Sequence, residues 1–171
     1  MDLHVTQTEP GQFRLSIADL AMRCAIGRNG MTRDKREGDQ ASPVGLWPVR
    51  RVFYRSDRLP RPDTRLSAVE IKPSDGWCDA PLDANYNRLV TLPYPASAEE
   101  MCRDDHVYDV VVELGYNDEP VVAGKGSAIF LHLARADYAP TAGCVAVALE
   151  DMRAILALLE PGARIWIDDG R

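Results

Sequence analysis

Residues 126–168 read GSAIFLHLARADYAPTAGCVAVALEDMRAILALLEPGARIWID, and this stretch decides the fold. "GSAIFLHLA" and "CVAVA" are short apolar runs set off by Gly- and Pro-containing turns, the pattern of buried strands. In "LEDMRAILALLEPG" the spacing becomes helical: Met152, Ile155, Leu156 and Leu159 share one face, and Pro161-Gly162 ends the helix. "ARIWID" then returns to strand. Two strands, one amphipathic helix and a further strand, with a β-rich "YDVVVELGYN" before them, predict a mainly β sandwich or barrel with one clear helix near the C-terminus.

Upstream, Phe13, Leu15 and Ile17 alternate, and so do Leu20, Met22, Cys24 and Ile26, which predicts two strands of a meander. "GRNGMTRDKREGDQASPVG" reads as a long loop in which Lys35, Glu37 and Asp39 are solvated. "LWPVRRVFYRS" is a strand that Pro48 assigns to an edge or to its own start. From Asp57 to Pro95 the chain is dense in Pro, Asp and Asn, with short strand pieces at most, which suits the wall of a cleft. "SAEEMCRD" predicts one or two helical turns, with Ser97 as N-cap and Glu100 closing a capping box. No internal repeat or low-complexity tract is visible.

The 171 residues predict one domain, 1–171, large enough for a core without metal or disulfide support. A net charge of -6 with no long Lys/Arg run argues against nucleic acid as a partner. No apolar run approaches the ~20 residues of a transmembrane helix. The opening "MDLHVTQTEPGQFRLSIADL" has no basic region followed by an apolar one, so no secretory signal is expected there. The four cysteines permit two disulfides without requiring them.

Two residues bear on chemistry. His132 sits on one predicted strand and Cys144 opens the next. A thiol attacks carbonyls as a thiolate, and an adjacent imidazole supplies that form by taking the proton and later returning it to a leaving amine. Gly143 allows close backbone approach, so that successive N–H groups face a developing oxyanion, and the Thr141 hydroxyl can hold the turn. If the pair works together, the two side chains are expected within hydrogen-bond reach. Cysteine is among the most buried residue types, so residue type alone favours two core side chains over a reactive pair. The order His-then-Cys argues against a papain-like protease. "CRDDH" offers Cys102 and His106 to a metal, but further ligands would have to converge from His4, Cys24 or Cys78, and no zinc site is expected. Neither "GRNG" nor "AGKGS" has the spacing of a nucleotide-binding loop.

Thr141-Ala142-Gly143-Cys144 with His132 upstream resembles the [Ser/Thr]-x-Gly-Cys motif and paired histidine of the L,D-transpeptidase family with the YkuD-type catalytic domain. "KREGDQASPVGLWPV" looks like that family's Lys…Gly-Asp…[Ser/Thr]-Pro-x-Gly segment. "DGWCDAPLDANYNRLV" and "YDVVVELGYN" also look like family segments, and the resemblance runs from about Ala25 to Ile167. It implies a mainly β fold and an envelope enzyme acting on peptidoglycan stem peptides. Cys144 would form an acyl-enzyme thioester that an acceptor amine resolves into a cross-link, with no metal or organic cofactor, and a carbapenem would acylate Cys144. Hydrolysis of the thioester, giving an L,D-carboxypeptidase or endopeptidase, and a non-catalytic peptidoglycan-binding domain are the alternatives. Two positions depart from the pattern: Leu133 where many members have Gly, and Ala146 where many have Arg. Arg135 is the nearest replacement for that arginine as a carboxylate holder. Tyr138 and Thr141 are candidate cleft residues, and Tyr86 and Asn87 candidate wall residues. Simple thiol labelling, on this reading, is expected to single out Cys144.

Overall fold

A computed structural model describes residues 1–171. Strands form at β1 (Leu3–Glu9), β2 (Gln12–Ile17), β3 (Leu20–Cys24), β4 (Met31–Thr32), β5 (Ser42–Pro43), β6 (Gly45–Tyr54), β7 (Ala68–Glu70), β8 (Asp75–Cys78), β9 (Leu89–Thr91), β10 (Ala98–Glu100), β11 (Val110–Leu114), β12 (Phe130–Leu133), β13 (Val145–Val147) and β14 (Arg164–Asp168). The single helix, α1, spans Leu149–Leu158 between β13 and β14. The largest sheet runs β13-β12-β11-β6-β14-β1-β2-β3, with β7 also on β6. Its two ends meet: Ala25, just past β3, exchanges backbone hydrogen bonds with Ala146 of β13 at 2.8 and 2.9 Å. The sheet is thus a nearly closed, mainly β barrel with one helix near the C-terminus, as the sequence predicts.

Pro48 is neither on an edge strand nor at a strand start. β6 pairs with β14 through Gly45–Pro48 and with β11 from Val49 onward, beside a register shift between Val112 and Leu114. Proline therefore sits where the strand changes partners, a place that tolerates its missing N–H. β1 alternates only over Leu3–Thr6, with Leu3 and Val5 buried, and it is held between β2 and β14.

Alternation of side chains separates two cores. Leu131, Leu133, Val145 and Val147 point to the larger one, which also takes Met152, Ile155, Leu156 and Leu159 from α1 and its end. At about 25 cal/mol per Å² of apolar area removed from water, such fully buried Leu and Ile side chains each contribute roughly 2 kcal/mol. Glu150 and Asp151 in the first turn of α1 complement its dipole. The opposite face of β12 and β13 carries Phe130 and Cys144 into a smaller core with Phe53, Trp77, Met101 and Tyr108. That face is covered by the three-stranded sheet β10-β8-β9, built from the Pro- and Asn-rich region.

The helical turns expected at Ser97–Asp104 are absent. Ala98–Glu100 instead pairs antiparallel with Gly76–Cys78. Met101 is fully buried and Tyr108 donates to Glu99 at 2.6 Å, so tertiary pairing and burial override the local capping pattern. The four thiols are free. No group of three metal-ligating side chains converges; His106 is held by Asp109 at 2.8 Å and His4 by Asp168 at 3.1 Å. No helix is long and apolar enough to cross a membrane.

Candidate active site

β12 and β13 run parallel, with His132 beside Ala146. Cys144 precedes β13 by one residue and lies beside Phe130. His132 and Cys144 are therefore diagonal neighbours on the same sheet face. Both line one cavity of about 520 Å³, whose walls include Tyr108, Arg103, Arg135 and Thr141.

The turn before Cys144 is held from several directions. The Thr141 hydroxyl donates to the Cys144 carbonyl at 2.7 Å and accepts the Gly143 N–H at 3.1 Å. The Ser42 hydroxyl donates to the Gly143 carbonyl at 2.7 Å and accepts the Gly27 N–H at 3.0 Å. Gly143 has φ +139°, and a Cβ there would lie 2.9 Å from the Ala41 carbonyl oxygen. Gly143→Ala is expected to lower unfolding free energy by about 2 kcal/mol or more, read by urea denaturation. A stability equal to the parent would show that the turn can relax.

Lys35, Glu37 and Asp39 are not a solvated loop. Lys35 is buried and bonds Asp39 at 2.5 Å, while Asp39 also accepts the Arg36 and Ala41 N–H groups. This folded segment places Ala41 and Ser42 against the Gly143 turn. In "KREGDQAS" the carboxylate spaced to reach back to nearby N–H groups was the available signal.

In the resting site the thiol and the imidazole are not hydrogen-bonded to each other. Cys144 Sγ donates to the Ala128 carbonyl at 3.1 Å and accepts the Phe130 N–H at 3.4 Å. His132 Nδ1 lies 3.0 Å from the Leu133 carbonyl. A carbonyl only accepts, so Nδ1 carries the proton and Nε2 is left unprotonated. Burial pushes the Cys144 thiol up to about 12 and pulls the His132 imidazole down to about 4. Both groups therefore rest neutral. The simple labelling expected from sequence does not follow: Cys102, half-buried, is more open than Cys144, which is 7% exposed.

The charged wall was not read from the sequence. Arg103 binds Asp105 through two bonds of 2.8 and 2.7 Å, and its guanidinium lies 5.1 Å from the centre of the Tyr108 ring. Arg135 reaches the same carboxylate at 3.2 Å. The Arg103 guanidinium holds Asp105 well below the usual carboxylate range, whereas burial raises Glu99. Arg103 and Asp105 belong to "CRDDH", in which the Cys and His are the metal-ligating types and the Arg and Asp form the wall.

Tyr86 and Asn87 do not line the cavity. Asn87 Oδ1 accepts from Trp77 Nε1 and the Ala128 N–H, and its Nδ2 donates to the Tyr116 and Asn117 carbonyls. Tyr86 donates to Glu37 at 2.5 Å and accepts the Gly126 N–H. Both brace the loops behind the site. Tyr138 faces a different groove, under the Arg23 guanidinium at 4.4 Å.

A family model for YkuD, the L,D-transpeptidase catalytic domain, matches residues 6–167. The chain belongs to the YkuD family. Two solved structures are similar to it: the helical cell shape determining protein Pgp2 from Campylobacter jejuni, at TM-score 0.44 and 12% identity, and a mutant of that protein, at 0.42 and 16%. Each match covers 99% of this chain and 48% of the other, so the chain spans about half the length of those proteins. No curated protein sequence matches it.

Proposed function

We propose that this chain is a single catalytic domain, a cysteine L,D-transpeptidase acting on peptidoglycan stem peptides in the cell envelope. The observation that carries the reading is the placement of His132 and Cys144 on one sheet face, at one cavity, in a YkuD-family chain. Substrate entering the cavity turns the thiol from Ala128 toward His132 Nε2. Sγ bonds to the carbonyl carbon as its proton passes to Nε2. The Gly143 N–H is committed to Thr141, whereas the Cys144 N–H has no acceptor in the protein and is free for the oxyanion. The C–N bond then breaks, His132 returns the proton to the departing D-residue amine, and a thioester remains. An acceptor amine then attacks the thioester carbon while His132 takes its proton; the C–S bond breaks, and that proton returns to sulfur as the thiol.

Arg135 and Arg103 supply the positive charge that Ala146 does not. Both already share Asp105, so a substrate carboxylate competes with an existing pair. Arg135→Ala is expected to lower kcat/KM for a stem peptide with a free carboxylate by about 1–2 kcal/mol, roughly tenfold. Unchanged kinetics would assign carboxylate binding to other residues.

The test of the function is mass spectrometry of purified stem peptides incubated with the protein. A cross-linked dimer supports transpeptidation, and a shortened peptide alone identifies a hydrolase. Unaltered peptides, with no protein adduct, overturn the enzymatic reading.

A further inference from the structure

A second groove, of about 990 Å³, adjoins the first, and Pro140 lines both. Every residue from Ala21 to Arg28 lines it, so it follows the edge of β3 rather than one face of the sheet. The Ala25 N–H and C=O point away from β2, toward Ala146. By the alternation of an antiparallel ladder, Ala21 and Arg23 present their N–H and C=O the same way, with no strand beyond them. An open ladder of this kind accepts an added extended chain.

Its charge indicates which chain. Arg14, Arg23 and Arg28 line the groove, all exposed, and none forms an ion pair. Arg14 and Arg23 are direct cross-strand partners, an arrangement that repels. The protein has 26 Asp and Glu against 20 Lys and Arg, so carboxylates to neutralise them are plentiful elsewhere on the chain. The Arg23 guanidinium is stacked on Tyr138, a residue held at φ +54°, which fixes the charge at the groove.

We propose that this groove docks an extended, carboxylate-rich peptide along the β3 edge: the peptide portion of the peptidoglycan polymer, outside the cavity in which Cys144 reacts. The proposal rests on the transpeptidase reading for its choice of polymer. The arginines bind carboxylates while Ala21 and Arg23 supply backbone hydrogen bonds. Continuity through Pro140 lets one polymer occupy groove and cavity together, so the docked segment raises the local concentration of the reacting one.

The test uses the full chain carrying Cys144→Ala, so that binding is measured without turnover. A fluorescent stem peptide with free carboxylates is titrated by anisotropy. Combined Arg14→Gln, Arg23→Gln and Arg28→Gln is expected to weaken binding at least tenfold and to flatten its salt dependence. These side chains are exposed, and far-UV circular dichroism checks the fold. The same peptide with its carboxylates amidated should bind the intact groove as weakly as the triple variant binds the acid form. Equal affinity of the triple variant overturns the proposal, and so does arginine-dependent binding of polyphosphate or anionic vesicles in place of the peptide. Carbapenem acylation of Cys144 in an otherwise wild-type chain is measured separately. Arginine-dependent peptide binding, with stem peptides left unaltered by the wild-type chain and no Cys144 adduct, would refute the enzymatic reading and leave the docking site standing; a missing carbapenem adduct alone would only narrow the donor pocket.

Discussion

Cys144→Ala is expected to abolish both transpeptidation and hydrolysis of stem peptides while the protein remains folded. Without sulfur there is no thioester, and the reaction loses its covalent route rather than a share of its rate. The fold should survive because the backbone at this turn is held by other groups: the Thr141 hydroxyl on the Cys144 carbonyl and the Ser42 hydroxyl on the Gly143 carbonyl. The sulfur itself contributes two contacts, to Ala128 and Phe130, within the smaller core. Its loss leaves a cavity of about one heavy atom, costing on the order of 1 kcal/mol. Intact-protein mass after exposure to a carbapenem should show an adduct that maps to Cys144 in the parent and is missing from the variant. Iodoacetamide, by contrast, should modify Cys144 slowly near neutral pH, because burial holds the thiol protonated. Stem-peptide turnover by Cys144→Ala would overturn the assignment. Cys24, Cys78 and Cys102 lie outside the cavity, and their replacement should leave the chemistry intact.

The parts of this molecule legible in the sequence are those where a local pattern and its tertiary environment agree. The hairpin of β2 and β3 alternates because only one face is buried, and α1 shows its apolar stripe because only that stripe meets the core. The Thr-x-Gly-Cys turn could be read because each residue has a job that its type alone performs: a hydroxyl bridges, a glycine clears Ala41, and a thiol is the proposed nucleophile. Ala98–Glu100 shows the opposite case, where a strong local capping pattern yields to pairing with β8. Charged residues are the least legible. Lys35 resembles any loop lysine until Asp39 and the burial around it are known, and Arg103 acquires its position from Asp105 and Tyr108. Asn87 looked like a cleft residue and is a scaffold hub because its amide satisfies four backbone and indole groups from distant segments. Such roles depend on contacts between residues far apart in the chain, which no periodicity records.

His132→Gln is expected to cost turnover by about 10²–10⁴-fold, the range of a lost general base, and to alter how stability depends on pH. The second effect follows from burial. His132 is held near 4 in the folded protein against an ordinary value of 6.5, so between these values the unfolded chain takes up a proton that the folded one refuses. Stability from this residue is therefore complete above about pH 6.5 and falls as pH drops toward 4. Between about pH 7 and about pH 5 the loss amounts to roughly 2 kcal/mol. Glutamine does not titrate and removes this slope. Asp39 and Asp105, held low by their partners, also lose stability on acidification, but mainly below their own ordinary range near 3.8. Glu99, raised by burial, acts in the opposite direction. All three are present in both proteins, so the difference between parent and variant isolates His132. Urea denaturation at several pH values should give curves for parent and variant that diverge as pH falls through 6.5, the parent losing more. Parallel curves would mean that the imidazole titrates in solvent, and the neutral base at the cavity would be lost with them. Parallel curves with normal turnover by His132→Gln would remove this histidine from the mechanism altogether. Diverging curves with lost turnover would tie the same buried imidazole to both the stability and the chemistry of the site.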